Sequence, residues 1–161
     1  MNDQVMFRKV VHDLEELPAI EDQSASQRKF FSEVSSALLR GHLEVLIQER
    51  DWITGIIMSV SILEFAGKTR LIWKQKDALK TGTRKIYRLK FAATIELLFN
   101  NKIIDDTTRD EMIKIKDARN AAAHDLPHQV ALSRGKEAND VIEGHIKNAV
   151  KIMESLFSKT D

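Results

Sequence analysis

Ile113-Lys114-Ile115-Lys116-Asp117-Ala118-Arg119-Asn120-Ala121-Ala122-Ala123-His124-Asp125-Leu126-Pro127 is the stretch on which the reading of this chain turns. It opens as an amphipathic helix and passes through Arg-Asn and three alanines to a histidine. It then meets a proline, whose fixed ring and missing N–H forbid much further helix. Three consecutive alanines let another backbone approach closely, so the segment is expected to pack against a partner. A permanent cation, an amide and a titratable imidazole gather near one helix end. Nothing else in the sequence concentrates polar chemistry in this way.

On either side, each flanking segment also reads as helix. Thr107 with Asp110, or Thr108 with Glu111, offers a capping box that opens the helix, and Ile103–Thr107 is a connector. Before it, residues 84–99 carry Ile86, Leu89, Ala93 and Leu97 at helical spacing, and Thr81-Gly82-Thr83 is a turn in which Thr83 can cap that helix. Residues 52–80 show a wide apolar face of Ile53, Ile56, Ile57, Val60, Leu63 and Ala66, with Gly67 at a close crossing or a bend. Ser24 and Gln27 form a capping box for a helix running to about Gln48 and burying Phe31, Val34, Leu38 and Val45. Glu49-Arg50-Asp51 reads either as a break or as a continuation. Residues 5–17 form a short helix ended by Pro18, and residues 134–157 form the last, with Ala138, Ile142, Ile146, Ala149, Met153 and Leu156 inward.

The expectation is an all-α, single-domain helical bundle of about five to six helices over residues 1–161. Residues 1–23 are an N-terminal helix and linker, and 24–161 the core bundle. Six glycines and two prolines in 161 residues are too few punctuators for short strands and turns. With 43% hydrophobic and 30% charged residues the composition is that of a soluble globular chain. The absence of cysteine excludes disulfides, iron–sulfur clusters and thiolate zinc sites. Met1-Asn2-Asp3-Gln4 shows no basic region followed by an apolar run. The longest apolar stretch, Trp52 to Phe65, is interrupted by Thr54, Ser59, Ser61 and Glu64. A cytoplasmic location without membrane contact is the expectation.

Net charge is only +1, but Lys68 to Lys90 holds nine basic residues and one acid, which leaves the rest of the chain at −7. Such a segment attracts polyanions locally. Lys74, Arg84, Lys85 and Arg88 are the candidate RNA-binding residues, with Trp73 and Tyr87 nearby for base stacking, although Trp73 reads better as core. The plain alternative is a solvated helix face whose long stems cover apolar surface.

Arg119-Asn120-Ala121-Ala122-Ala123-His124 resembles the Arg-x4-6-His motif of the HEPN superfamily, often written with Asn after the Arg. Upstream, Leu97-Leu98-Phe99-Asn100-Asn101-Lys102-Ile103-Ile104 followed by a capped helix looks like the mannitol-repressor-like branch, and Ile53–Trp73 like the long helix before it. The resemblance covers the layout of residues 50–128. It implies either a metal-independent endoribonuclease of toxin or phage-defence type, or a non-catalytic regulatory or protein-interaction module. A homodimer and a protein regulator or antitoxin are the implied partners beside RNA. Two departures stand out. Toxins of the paired subtype place Tyr two residues after the His, where this chain has Leu126. Many relatives have Gly in the preceding turn, where this chain has Asn101-Lys102.

Metal-independent RNA cleavage needs a base for the 2′-hydroxyl proton, an acid for the leaving 5′-oxygen and a cation for the phosphate. His can serve either proton role and Arg matches phosphate with paired donors. On these grounds His124 is the candidate acid/base, Arg119 the phosphate-stabilising group and Asn120 the orienting one. Geometry complicates the assignment. Residues five apart on a regular helix lie about 140° from each other. Arg119 and His124 therefore meet only if the helix bends, if Arg119 reaches around, or if two copies combine across a twofold axis. The structural alternative is a capped helix end in which Arg119 pairs with Asp117 or with an acid elsewhere and His124 satisfies local carbonyls. No metal or other cofactor is expected: His124 and His128 have ligand spacing, but Pro127 interrupts them and no third ligand is evident. No Gly-rich phosphate loop or nucleophile elbow is present.

Overall fold

The computed structural model of the chain describes residues 3–75 and 82–159. Among them are eight α-helices and one short 3-10 turn, with no strand: α1 Asp3–Glu15, the turn Ile20–Asp22, α2 Ala25–Gln48, α3 Trp52–Gln75, α4 Thr83–Arg88, α5 Phe91–Asn100, α6 Asp106–His124, α7 Leu126–Arg134 and α8 Lys136–Ser158. The all-α bundle is as expected; the helix count is higher, because the expected helix over 84–99 is two helices and the expected linker after His124 forms a helix of its own.

α3 is the axis of the bundle. Among its described side chains only Thr54, Ile57, Ser61 and Phe65 are exposed, so Ile57 leaves the apolar face expected for it. The rest of α3 is covered by α2, α4, α5, α6, α7 and α8. Gly67 is a close crossing: a Cβ there would lie 3.0 Å from Leu98 Cδ1 and 3.1 Å from Thr94 Cγ2 on α5. Trp73 is fully buried, and its indole N–H donates to the Ile20 carbonyl at 3.2 Å. The indole packs with Phe31 and Phe157, tying α2, α3 and α8 together. It is a core residue rather than a stacking platform.

The sequence between Thr83 and Asn100 is two helices because a single one would misdirect its apolar residues. Ile86 and Phe91 are both buried, yet five positions on one helix lie about 140° apart. Extended backbone at Leu89 and Lys90 re-phases the chain so that both point inward. Ala93, expected inside, is exposed as a result. Gly82, not Thr83, occupies the N-cap of α4. α5 and α6 are pinned by Arg109, which donates to both Glu96 oxygens at 2.9–3.1 Å and lies 4.7 Å over the Phe99 ring.

The Ser24–Gln27 capping box is formed as expected, and α2 ends at Gln48. Its buried face differs from the expected one. Arg28, Ser32, Ser35 and Leu43 are buried, while Leu38 and Val45 are 39% and 53% exposed. α2 packs on α3 and α8 with these small serines at buried positions and the larger Leu38 and Val45 outside. Glu49-Arg50-Asp51 is a break. Arg50 takes φ +56°, and the Asp51 and Arg50 amides donate to Leu46 and Ile47 carbonyls, a Schellman turn with arginine where glycine is easier. The same turn ends α5, with Lys102 at φ +56° and Ile103 and Lys102 amides donating to Leu98 and Phe99.

Helix α6 is capped by Asp105, whose carboxylate accepts the Thr108 amide at 2.8 Å, so neither expected Thr box is used. Hydrogen bonding from the Thr108 side chain first, and then from its amide, holds the Asp105 carboxyl below its usual value. The cluster of buried residues runs from Leu43 in α2 to Phe157 in α8, and no described side chain of α1 is buried. No helix among the described residues is long and apolar enough to cross a membrane.

Candidate functional site

α6 ends in an elbow built by Asp125. The Asp125 amide closes α6 by donating to the Ala121 carbonyl at 2.9 Å. Its carboxylate caps the next helix by accepting the His128 amide at 3.3 Å. Gln129 reaches back from α7, its side-chain amide donating to the Ala122 carbonyl at 2.7 Å. Pro127 does not end helical structure here. It sits in the first turn of α7, where a missing N–H costs nothing. The expected last helix is therefore preceded by another, and His124 and His128 belong to different helices.

The helix is continuous through His124, so no bend brings the motif residues together within one chain. Asn120 and His124 are both exposed and share a face as i and i+4. Arg119 lies on the other side. It continues the core-facing row of Met112, Ile115 and Ala122 and is half-buried. Its Nε is buried and has no hydrogen-bond partner among the described residues. Asp117, one partner allowed in the purely structural reading, lies 3.4 Å from the Lys116 ammonium. Ala122 is fully buried while Ala121 and Ala123 are half-buried, so the alanine run admits close packing.

The expected RNA-binding cations divide. Lys74 is half-buried and donates to the Asn101 carbonyl at 3.4 Å, bracing the turn between α5 and α6. Arg84, Lys85 and Arg88 are all exposed on α4, which is anchored by the buried Ile86. α4 packs on α3, whereas α6 packs on α3, α5, α7 and α8. Tyr87 is exposed, with its hydroxyl 3.3 Å from Glu21. Burial, then the nearby Glu21 charge, raises the Tyr87 pKa. Lys76 and Lys80 fall outside the described residues.

A groove of about 570 Å³ between α6, α7 and α8 holds two histidines, His128 and His145, beside Lys114, Ala121 and Ile142. Arg119, Asn120 and His124 are not among its walls. His128 Nε2 is buried without a partner among the described residues. Burial, the largest effect, lowers the His145 pKa; Glu111 opposes that and Lys114 adds to it. Read singly, neither histidine stood out; the 17-residue gap between them closes only when α7 and α8 fold onto α6. Among the described residues no group of three or more His, Cys, Asp or Glu side chains is placed to hold a metal ion.

Comparison with protein-family models, with curated proteins and with solved structures finds no match to this chain.

Proposed function

We propose that this chain is an RNA-binding protein of HEPN type whose α6 terminus cleaves RNA as a homodimer. The observation that carries the reading is Arg119. A guanidinium set in the core-facing row, with a buried Nε left unpartnered, is costly to stability. Among the described residues no group at the helix end bonds its Nε, and Asp117 is held by Lys116. Such a group is available to a ligand phosphate.

A twofold arrangement supplies what one chain lacks. His124 of one copy takes the 2′-hydroxyl proton, and the 2′-oxygen attacks phosphorus. The bond to the 5′-oxygen breaks, and that oxygen receives a proton from the second copy's histidine. The products are a 2′,3′-cyclic phosphate and a free 5′-hydroxyl. Arg119 stabilises the charge on the non-bridging oxygens, and Asn120, on the His124 face, orients the imidazole or the phosphate. Arg84, Lys85 and Arg88 draw RNA to the surface without reading its sequence.

The test is incubation of labelled structured RNA with the purified protein in EDTA, beside folded His124→Ala. The proposal expects cleavage by wild type, lost in the variant. Cleavage that survives the substitution would remove His124 from the site. A second reading, a non-catalytic regulatory or protein-interaction module such as an antitoxin partner, is favoured by apolar exposure on α7. Leu126 and Val130 are i and i+4 on one face and 69% and 46% exposed. Absence of cleavage across several RNAs would shift the assignment to that module.

A further inference from the structure

The turn between α2 and α3 and the turn between α7 and α8 meet at one end of the bundle. Two adjoining cavities open there, of about 270 and 580 Å³, sharing Arg50, Trp52 and Asn139 as walls. Leu132 of α7 closes the smaller and Lys136 lines the larger. Ala121 of α6 shares a groove with Glu137 and Ala138 at the start of α8, so this cleft lies at the end of the bundle where the Arg119–His124 segment terminates.

We infer that this cleft is a single-nucleotide subsite for single-stranded RNA, selective for adenine; the inference rests on the RNA reading above. Four features support it. Trp52 is half-buried and forms a wall of both cavities, which offers an aromatic surface for a base. Asn139 is half-buried, and its Oδ1 is buried without a hydrogen-bond partner among the described residues. An amide acceptor beside its own N–H₂ donor matches the N6 and N7 edge of adenine. Arg50 and Lys136 place two cations on the rim for flanking phosphates. Arg50 also holds a left-handed backbone that glycine would adopt more easily, so its side chain is retained at a conformational cost.

Acids border the same cavities: Asp51 accepts the Thr54 amide at 3.2 Å and keeps its charge, while Glu143 is paired with the Lys147 ammonium 2.8 Å away. Asp140 stands at the edge of the larger cavity. The volumes fall near the roughly 300–1,000 Å³ of small-ligand sites.

The chain has two tryptophans, and Trp73 is fully buried with its N–H bonded, so a fluorescence change on binding reports Trp52. Hexa-adenylate titrated at low salt should quench the emission saturably, and hexa-uridylate more weakly. In anisotropy with labelled hexa-adenylate, Arg50→Gly should raise Kd roughly tenfold without lowering Tm, because it removes the cation while easing the turn. Asn139→Asp should abolish the preference for adenylate over uridylate. Lys102→Gly, in a turn outside both sites, should leave binding unchanged, and because binding is read without cleavage, a failure of cleavage and a failure of this cleft read out separately. Absence of quenching, wild-type affinity and preference in both Arg50→Gly and Asn139→Asp, or AMP binding as tightly as the hexamer would each overturn the assignment.

Discussion

The basic surface of α4 and the end of α6 put their arginines to opposite uses. On α4, Arg84, Lys85 and Arg88 surround a single buried anchor, Ile86, and all three are exposed. Their charge is dense in sequence but solvated, so each gives a modest, salt-screened attraction. At the end of α6 stands Arg119, which emerges from the core-facing row with its Nε withdrawn from water and unpaired among the described residues. Charge density along the chain marks where a polyanion is attracted. Burial of an uncommitted cation costs stability, and on the proposed reading a ligand phosphate would recover it.

The widest separation between the two regions should appear in chemistry. Alanine at His124 is expected to lower the single-turnover rate by about 10²–10⁴-fold, the usual worth of a positioned acid or base. Alanine at Arg84, Lys85 and Arg88 together should leave the rate at saturating RNA unchanged and flatten the salt dependence of binding by about two to three phosphate contacts. A slowed chemical step in that triple variant would bring α4 into the site and erase the contrast.

Smaller effects are expected in stability. Asp125→Ala removes the cap of α7 at the elbow and should cost about 1 kcal/mol in urea unfolding. It should also reduce cleavage, since the elbow fixes where His124 points; the α4 substitutions have no such coupling. Lys102→Gly should stabilise by about 0.5–1 kcal/mol, because φ +56° suits glycine better than lysine. A loss on Lys102→Gly would mean that the side chain contributes more than the turn costs.

The smallest predicted effect depends on pH. Burial holds the folded His145 below the ordinary imidazole value. The unfolded chain therefore takes up its proton first as pH falls. Stability from this group is present above the unfolded value of about 6.5 and is lost as pH drops through it. His145→Gln should show a shallower decline in Tm between neutral and mildly acidic pH; an unchanged slope would exclude His145 as a contributor.

Much of this architecture was legible in the sequence, for identifiable reasons. The apolar periodicity of α3 and α8, the Ser24–Gln27 box and the end of α6 at His124 are local signals, and each holds in the fold. What the sequence concealed depends on contacts distant along the chain. The buried face of α2, packed on α3 and α8, carries small serines rather than the larger Leu38 and Val45. The break at Leu89–Lys90 arises because both Ile86 and Phe91 must reach one core. The inward setting of Arg119 also had no local mark, although its spacing from Met112, Ile115 and Ala122 contains it in retrospect. Arg50, Trp52 and Asn139 belong to two turns far apart in the chain, so no linear pattern joins them.

If Arg119 is kept for a ligand at the expense of the fold, removing its charge should separate activity from stability. Arg119→Met makes that separation visible, because methionine covers much the same apolar surface without the unpartnered Nε. Single-turnover RNA cleavage and thermal unfolding would be measured on the same preparation. The prediction is loss of cleavage with Tm unchanged or raised, a gain of up to about 2 kcal/mol. Retained cleavage, or a clear fall in Tm, would contradict it and make Arg119 a structural residue.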